Sequence, residues 1–84
     1  MAGVTYKNLA PVHTRTGRAC IDWSGKDLAD RAGLTLAVVK RFESGRGAGD
    51  GAKQAMIDAL ERAGVKLYNG GRHGARLMKP NSDG

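Results

Sequence analysis

The residue types that catalyse reactions or bind metal ions are sparse in this chain of 84 residues. Cys20 is the only cysteine, and the two histidines, His13 and His73, stand far apart without cysteine or carboxylate neighbours at ligand spacing. The glycine-rich stretch GRGAGDG, residues 45–51, lacks the Lys-Ser/Thr pair of a phosphate-binding loop. We therefore expect no enzymatic activity, no catalytic residues, no metal site and no cofactor.

Positive charge is the chemical feature that stands out. Fourteen Lys and Arg residues oppose eight Asp and Glu residues, which gives a net charge of +6. Such an excess on a short chain favours an anionic partner, with nucleic acid first and an anionic membrane or acidic protein behind it. The sequence shows no signal-peptide pattern, no long apolar run and no second cysteine for a disulfide. We expect a cytoplasmic protein without membrane contact.

Caps and stops divide the middle of the chain into short helices. Ser, Thr and Asp favour the capping position just before a helix because their side chains accept its unpaired N–H groups, and Gly favours the position just after its end. The helices predicted in this way run from Thr14 to Trp23, from Ser24 to Gly33, from Thr35 to Gly45 and from Asp50 to Gly64. The short connections indicate one compact unit over residues 14–64.

The two ends of the chain differ from this helical middle. Residues 1–13 contain Pro11 and show no period, which predicts a flexible N-terminal arm. Residues 65–79 alternate apolar and polar residues on either side of the turn sequence NGGRHG, which predicts a β-hairpin. Residues 80–84 have the composition of a frayed tail. The predicted fold is mainly α, with four or five helices and a short C-terminal hairpin.

The hairpin pattern also predicts which side chains share a face. In the alternation, Val65 and Leu67 lie on the same side as Ala75 and Leu77. A lone hairpin is marginally stable in water. It must therefore pack on the helices or pair with another chain.

The apolar run AGLTLAVVKRF, residues 32–42, has two different faces once it is placed on a helix. Leu34, Val39 and Phe42 point inward, whereas the opposite face carries Ala37, Lys40, Arg41 and Ser44, flanked by Leu36 and Val38. The preceding helix ends only at Gly33. Two helices so closely joined form a helix-turn-helix, in which the second helix is free to enter a groove.

Residues 18–45, RACIDWSGKDLADRAGLTLAVVKRFESG, resemble the Cro/C1-type helix-turn-helix family, also called lambda-repressor-like or XRE-family. The resemblance is to short bacterial regulators of the form W-S-x-x-D-L-A-x-x-A-G-L-T/S-x-x-x-V/I-x-x-F-E-x-G. It implies a bacterial, sequence-specific DNA-binding transcription regulator, a repressor acting as a homodimer on double-stranded DNA. It also implies an ion pair between Arg18 of the first helix and Glu43, which closes the third.

The same resemblance assigns the residues that contact DNA. The third helix would lie in the major groove, and the residues that would line the groove are Thr35, Leu36, Ala37, Lys40 and Arg41. Those nearest the phosphate backbone would be Ser24, Lys26, Arg46 and Arg18. Phosphate contacts position such a protein, and groove contacts specify the sequence.

Two departures from the family pattern support an alternative function. Gly25 stands where the family usually has a Gln that contacts the DNA backbone, and the first recognition positions, usually polar, are Leu36, Ala37 and Val38. An apolar helix face rimmed by charge also suits protein docking. The alternative is a non-enzymatic anti-activator or antitoxin that binds a regulatory protein through Leu36, Ala37, Val38 and Lys40.

Overall fold

The computed structural model describes residues 4–68 and the backbone of residues 74–77. This part of the chain is mainly helical and closes with a two-stranded antiparallel sheet. Its elements are α1 (Pro11–Cys20), α2 (Gly25–Ala32), α3 (Leu36–Arg41), a wider π-type turn (Phe42–Arg46), α4 (Asp50–Arg62), β1 (Val65–Tyr68) and β2 (Gly74–Leu77). The predicted order of helices followed by a hairpin is confirmed, and the predicted tail lies outside the described residues.

Side-chain caps define the connection between α2 and α3. Ser24 Oγ accepts a hydrogen bond from the backbone N–H of Asp27 at 3.0 Å, and Thr35 Oγ1 accepts one from the N–H of Val38 at 3.3 Å. Gly33 ends α2 with a φ of 71°, a left-handed conformation that residues with a Cβ rarely adopt. The two predicted caps and the predicted stop are confirmed, and they leave only a short turn between the helices.

Thr14 was the predicted cap of the first helix and Trp23 its predicted end, whereas α1 is capped at Ala10, begins at Pro11 and ends at Cys20. The helix therefore starts four residues and ends three residues earlier than predicted. Proline suits the first position of a helix because an N–H there would have no partner. The N–H of the preceding Ala10 donates to His13 Nδ1 at 2.9 Å. His13, at the third helical position, therefore takes the role that Glu or Gln has in a capping box, and the capping residue Ala10 has no side-chain oxygen to accept from the first turn.

The segment before α1 packs on the domain. Val4 and Leu9 are each only 8% exposed and belong to the hydrophobic core. The prediction of a flexible arm over residues 1–13 is thus wrong for residues 4–13, since apolar side chains in the segment are removed from water. Residues 1–3 lie outside the described part of the chain.

α4 begins one residue earlier than predicted. Gly49, not Asp50, occupies the capping position, and no side chain caps this end. Asp50 is the first helical residue, where its negative charge interacts favourably with the positive end of the helix dipole. The helix ends at Arg62, and Gly64 leaves it with a φ of 92°, as the predicted stop requires.

One apolar core joins the N-terminal segment, the helices and β1. Its buried hydrophobic residues come from the N-terminal segment, the three later helices, the π-type turn and β1: Val4, Leu9, Leu28, Ala29, Val39, Phe42, Met56, Ile57, Ala59, Leu60, Val65 and Leu67. Leu34 and Cys20 are half-buried against it. The predicted inward face of the third helix, formed by Leu34, Val39 and Phe42, is confirmed.

The hairpin packs on α1 and α4. In its register Val65 lies opposite Leu77 and Leu67 lies opposite Ala75, and residues opposite each other share a face of the sheet, as predicted. His13 connects the hairpin to α1, because its Nε2 lies 3.2 Å from the carbonyl oxygen of Tyr68. Because Nδ1 accepts the Ala10 N–H, the hydrogen of the neutral ring lies on Nε2, which donates it to the Tyr68 carbonyl oxygen of β1.

Gly17 allows α1 to approach the rest of the core closely. A Cβ at this position would lie 3.2 Å and 3.3 Å from the two terminal methyl groups of Leu60 and 3.4 Å from Cδ2 of Leu67. Ordinary carbon contacts are about 3.5–4.0 Å. This helical glycine, unfavourable for the helix by itself, is explained by the lack of space for a side chain.

Candidate nucleic-acid interface

α3 presents one continuous exposed face. Ala37, Lys40 and Arg41 of α3 and Ser44 of the π-type turn that continues it are all exposed, and their spacing of three and four residues places them on one side. Together with Arg46 they line a shallow hollow of about 400 Å³. The structure therefore brings together four of the predicted DNA contacts, and it adds Ser44, which the periodicity had placed on this face without assigning it a contact.

The charge of this face is positive and uncompensated. Between residues 34 and 49 the only carboxylate is Glu43, and it is engaged by Arg18. In the described part of the chain, Lys40, Arg41 and Arg46 form no ion pair. Three cations consequently face solvent without an acidic neighbour on their own segment to neutralise them.

The ion pair between Arg18 and Glu43 fixes the end of this segment to α1. Arg18 Nη2 and Nε donate to the two Glu43 carboxylate oxygens at 2.6 and 3.1 Å, and Nη1 donates to the carbonyl oxygen of Trp23 at 3.1 Å. The side chains are 21% and 11% exposed. The ion pair that the family resemblance implies is confirmed. Arg18 is committed to holding the fold, not to contacting a backbone phosphate.

The apolar residues of α3 are less exposed than the sequence suggested. Leu36 and Val38 are half-buried. Leu36 leans on the start of α2, where a Cβ added at Gly25 would lie 3.4 Å from Leu36 Cδ1. In residues 4–68 the one large hydrophobic residue that is exposed is Val12 of α1, at 38%. Gly25 and Leu36, both departures from the pattern, thus lie side by side, and Leu36 turns apolar surface away from the exposed face.

A second hollow, of about 440 Å³, lies between α3 and the start of α4. It is lined by Val38, Arg41, Arg46, Gly47, Ala48, Gly49 and Ala52. Arg41 and Arg46 border both hollows because Gly45, with a φ of 90°, turns the chain between them. Arg41 and Arg46 are close to each other because of the way the π-type turn ends. Their spacing in the sequence does not predict this.

Ser24 and Lys26, the predicted phosphate contacts of α2, already have partners. Asp27 Oδ2 accepts a hydrogen bond from the Ser24 N–H at 2.9 Å. This bond is the main reason why the pKa of the Asp27 carboxyl lies below its ordinary value, and a hydrogen bond with the Ser24 side chain is the second. A carboxylate therefore occupies the helix N-terminus that the prediction gave to a phosphate. Lys26 Nζ pairs with Asp30 at 3.0 Å, which raises the pKa of Lys26. This pair is highly exposed and weak enough to exchange for a phosphate.

Comparison with protein-family models finds no family that matches the chain, and comparison with curated proteins finds no match either.

Within residues 4–68, no three His, Cys, Asp or Glu side chains are grouped closely enough to hold a metal ion. None of the described helices combines the length and the hydrophobicity that crossing a bilayer requires. The proposed function accordingly rests on the motif over residues 18–45 and on the exposed face of α3.

Proposed function

We propose that this protein is a sequence-specific DNA-binding transcription regulator with a Cro/C1-like helix-turn-helix fold, and that α3 enters the major groove. The observation that carries the proposal is the exposed face of α3, on which Lys40 and Arg41, with Arg46 beside them, have no acidic partner in the described part of the chain. A polyanion is the partner that such a face binds best, because each contact releases a counterion from the DNA.

The neighbouring elements support this role for α3. Its first turn is capped by Thr35 and braced by Leu36 on Gly25, and its far end is tied to α1 through Glu43. The helix is thereby held on its inner side and left open on its outer side. An α-helix presented in this way fits the width of the major groove.

The alternative function, binding of a regulatory protein through the same helix, has less support. It requires an apolar docking surface, yet Leu36 and Val38 are half-buried and the exposed residues of α3 are one alanine and polar side chains. We rank it second for that reason. Repression by a homodimer remains part of the proposal, since one helix reads too few base pairs to specify a site in a genome.

A binding titration with matched charge variants tests the proposal. The probe is duplex DNA from the region flanking the protein's own gene, and the readout is fluorescence anisotropy at several salt concentrations. The paired change Lys40→Ala with Arg41→Ala should abolish specific binding. The paired change Arg62→Ala with Lys66→Ala removes the same charge from exposed positions at the far end of α4 and on β1, and it should leave specific binding intact.

Arg46→Ala separates backbone contacts from base contacts in the same assay. A phosphate contact contributes about −0.9 to the slope of log affinity against log salt, so this variant should lower the steepness by about that amount for every sequence. Wild-type protein that binds no duplex even at low salt would contradict the proposal. Equal losses in the two paired variants would show that only net charge matters, which also contradicts it.

A further inference from the structure

The side chains that can reach base edges from α3 are few, and their chemistry limits which bases they can distinguish. The exposed face carries a methyl group from Ala37, two cations from Lys40 and Arg41, and a hydroxyl from Ser44. Each base presents a different set of donors, acceptors and methyl groups in the major groove. The bases that this protein reads can therefore be worked out from the groups that are available.

Adenine and cytosine lack suitable partners on this face. Reading adenine uses an Asn or Gln amide, which donates to N7 and accepts from N6, and residues 34–49 contain neither. Gln54 of α4 is engaged with Asp58 at 2.9 Å. Reading cytosine uses a carboxylate that accepts from N4, and the one carboxylate of this segment, Glu43, is bound by Arg18.

The hydroxyl groups of the segment add little discrimination. Ser44 Oγ donates its hydrogen to the carbonyl oxygen of Arg41 at 2.9 Å, so it has none to offer to a base. Thr35 Oγ1 accepts the Val38 N–H and keeps its own hydrogen. That hydrogen can be donated to any acceptor, including a phosphate, and hydroxyl groups of this kind do not select one base.

Guanine and thymine, by contrast, have partners. Guanine N7 and O6 both accept hydrogen bonds, and Lys and Arg are the side chains that donate to them. The thymine 5-methyl group is read by apolar contact, which the exposed methyl of Ala37 provides, three residues before Lys40 and four before Arg41. Leu36 is turned toward Gly25, so Ala37 is the apolar residue best placed for this contact.

We propose, building on the proposed DNA-binding function, that α3 recognises half-sites in which guanine and thymine are adjacent, with Lys40 and Arg41 on the guanine edge and Ala37 on the thymine methyl. Adenine and cytosine enter such a site only as the paired bases. The ligand class is thus narrower than duplex DNA. It is a major groove that presents guanine acceptors beside a thymine methyl.

Duplexes that carry base analogues test this recognition of guanine and thymine, with the full chain as the protein. The probe is the duplex of highest affinity that wild-type protein selects from a randomised pool, and single bases in it are then replaced. A guanine changed to 7-deazaguanine loses N7, and we expect an affinity loss of about 10-fold at the contacted positions, as for loss of a good base contact. A thymine changed to deoxyuridine loses one methyl group, and we expect a loss of about 3- to 4-fold. Adenine changed to 7-deazaadenine is the matched control and should have no effect.

A protein variant assigns the thymine contact to its residue. In Ala37→Ser the apolar contact is replaced by a hydroxyl, so thymine and deoxyuridine probes should bind with equal affinity while sensitivity to 7-deazaguanine persists. Tight binding that does not change when thymine is replaced by deoxyuridine, or that weakens when adenine is replaced by 7-deazaadenine, would overturn the proposed recognition of guanine and thymine. Neither result would contradict the proposed DNA-binding function. Selection of no duplex at all, with no binding at low salt, would overturn both.

Discussion

Replacement of Gly17 by alanine tests the packing of α1 on the core. In a helix interior this change alone stabilises by about 1 kcal/mol, because alanine loses less backbone entropy on folding. Here the new methyl group would lie 3.2 Å from Leu60 and 3.4 Å from Leu67, both fully buried, so neither can move into solvent. Overpacking of this kind costs about 1–3 kcal/mol. We expect Gly17→Ala to destabilise the protein by about 1 kcal/mol.

Gly25→Ala is the matched control. Its new methyl group would lie 3.4 Å from Leu36 Cδ1, and Leu36 is only half-buried and can shift. We expect this variant to be more stable than the wild type by about 0.5 kcal/mol, because alanine restricts the unfolded chain. Urea unfolding followed by circular dichroism measures both changes, and 1 kcal/mol corresponds to about 4–8 °C in a thermal midpoint for a domain of this size.

A second substitution shows whether the predicted contact causes the loss. Leu60→Val removes a methylene group, which alone costs about 1 kcal/mol, but in the Gly17→Ala background it also relieves the overpacking. The double variant should therefore lose less stability than the sum of the single variants. A Gly17→Ala protein that is as stable as Gly25→Ala, or additive losses with Leu60→Val, would refute the close approach of α1.

The remaining predictions concern stability. The double-mutant cycle of Arg18→Met and Glu43→Gln should give a coupling of about 1–2 kcal/mol in urea unfolding, because the pair is bidentate and mostly buried; a coupling near zero would contradict this. In Asp27→Asn the stability deficit relative to the wild type should hold at neutral pH and shrink in acid, below about pH 4. The pKa of Asp27 in the folded protein lies below its ordinary value of 3.8, so the ionised carboxylate stabilises the fold above pH 3.8, and this stabilisation is lost as the pH falls through the folded pKa. A stability deficit that does not depend on pH would contradict this assignment. His13→Phe should cost about 1–3 kcal/mol in the same assay, since it leaves two backbone groups, at the start of α1 and in β1, without their ring partner; an unchanged protein would contradict that role.

Local sequence signals predicted the helix-turn-helix segment well. Ser24, Gly33 and Thr35 are confirmed because a cap or a left-handed stop acts through backbone groups within four residues, where sequence and structure correspond directly. Val39 and Phe42 are buried as their helical spacing predicts. The shared face of Val65 and Leu67 with Ala75 and Leu77 followed from alternation, whereas the register that pairs them is a result of the structure.

The start of α1 was missed because its cap is unusual. Thr14 is the Ser, Thr or Asp residue that predicts a cap in this segment, whereas Pro11 starts the helix and His13 accepts the N–H before it. Proline at a first helical position is a recognised signal that was available in the sequence. The burial of Val4 and Leu9 could not be predicted from the segment alone, since it depends on the surface that the rest of the fold presents.

The features of the candidate site that the sequence did not predict are tertiary. Nothing in the spacing of Gly25 and Leu36 shows that they lie side by side, and this proximity affects how much apolar surface α3 exposes. Likewise, Arg41 and Arg46 share two hollows because of the left-handed turn at Gly45. The positions on the outer face were predictable from helical periodicity, but their exposure and pairing required the fold.

The central claim, that the outer face of α3 binds DNA, is tested most directly by backbone amide chemical shifts of the full chain during titration with duplex DNA. We predict that the largest shifts occur at Ala37, Lys40, Arg41, Ser44 and Arg46, and that they diminish as salt is added. The exposed residues Val12 and Ala19 of α1 should change little. Shifts concentrated on α1, or spread evenly over the surface, would contradict the proposed interface.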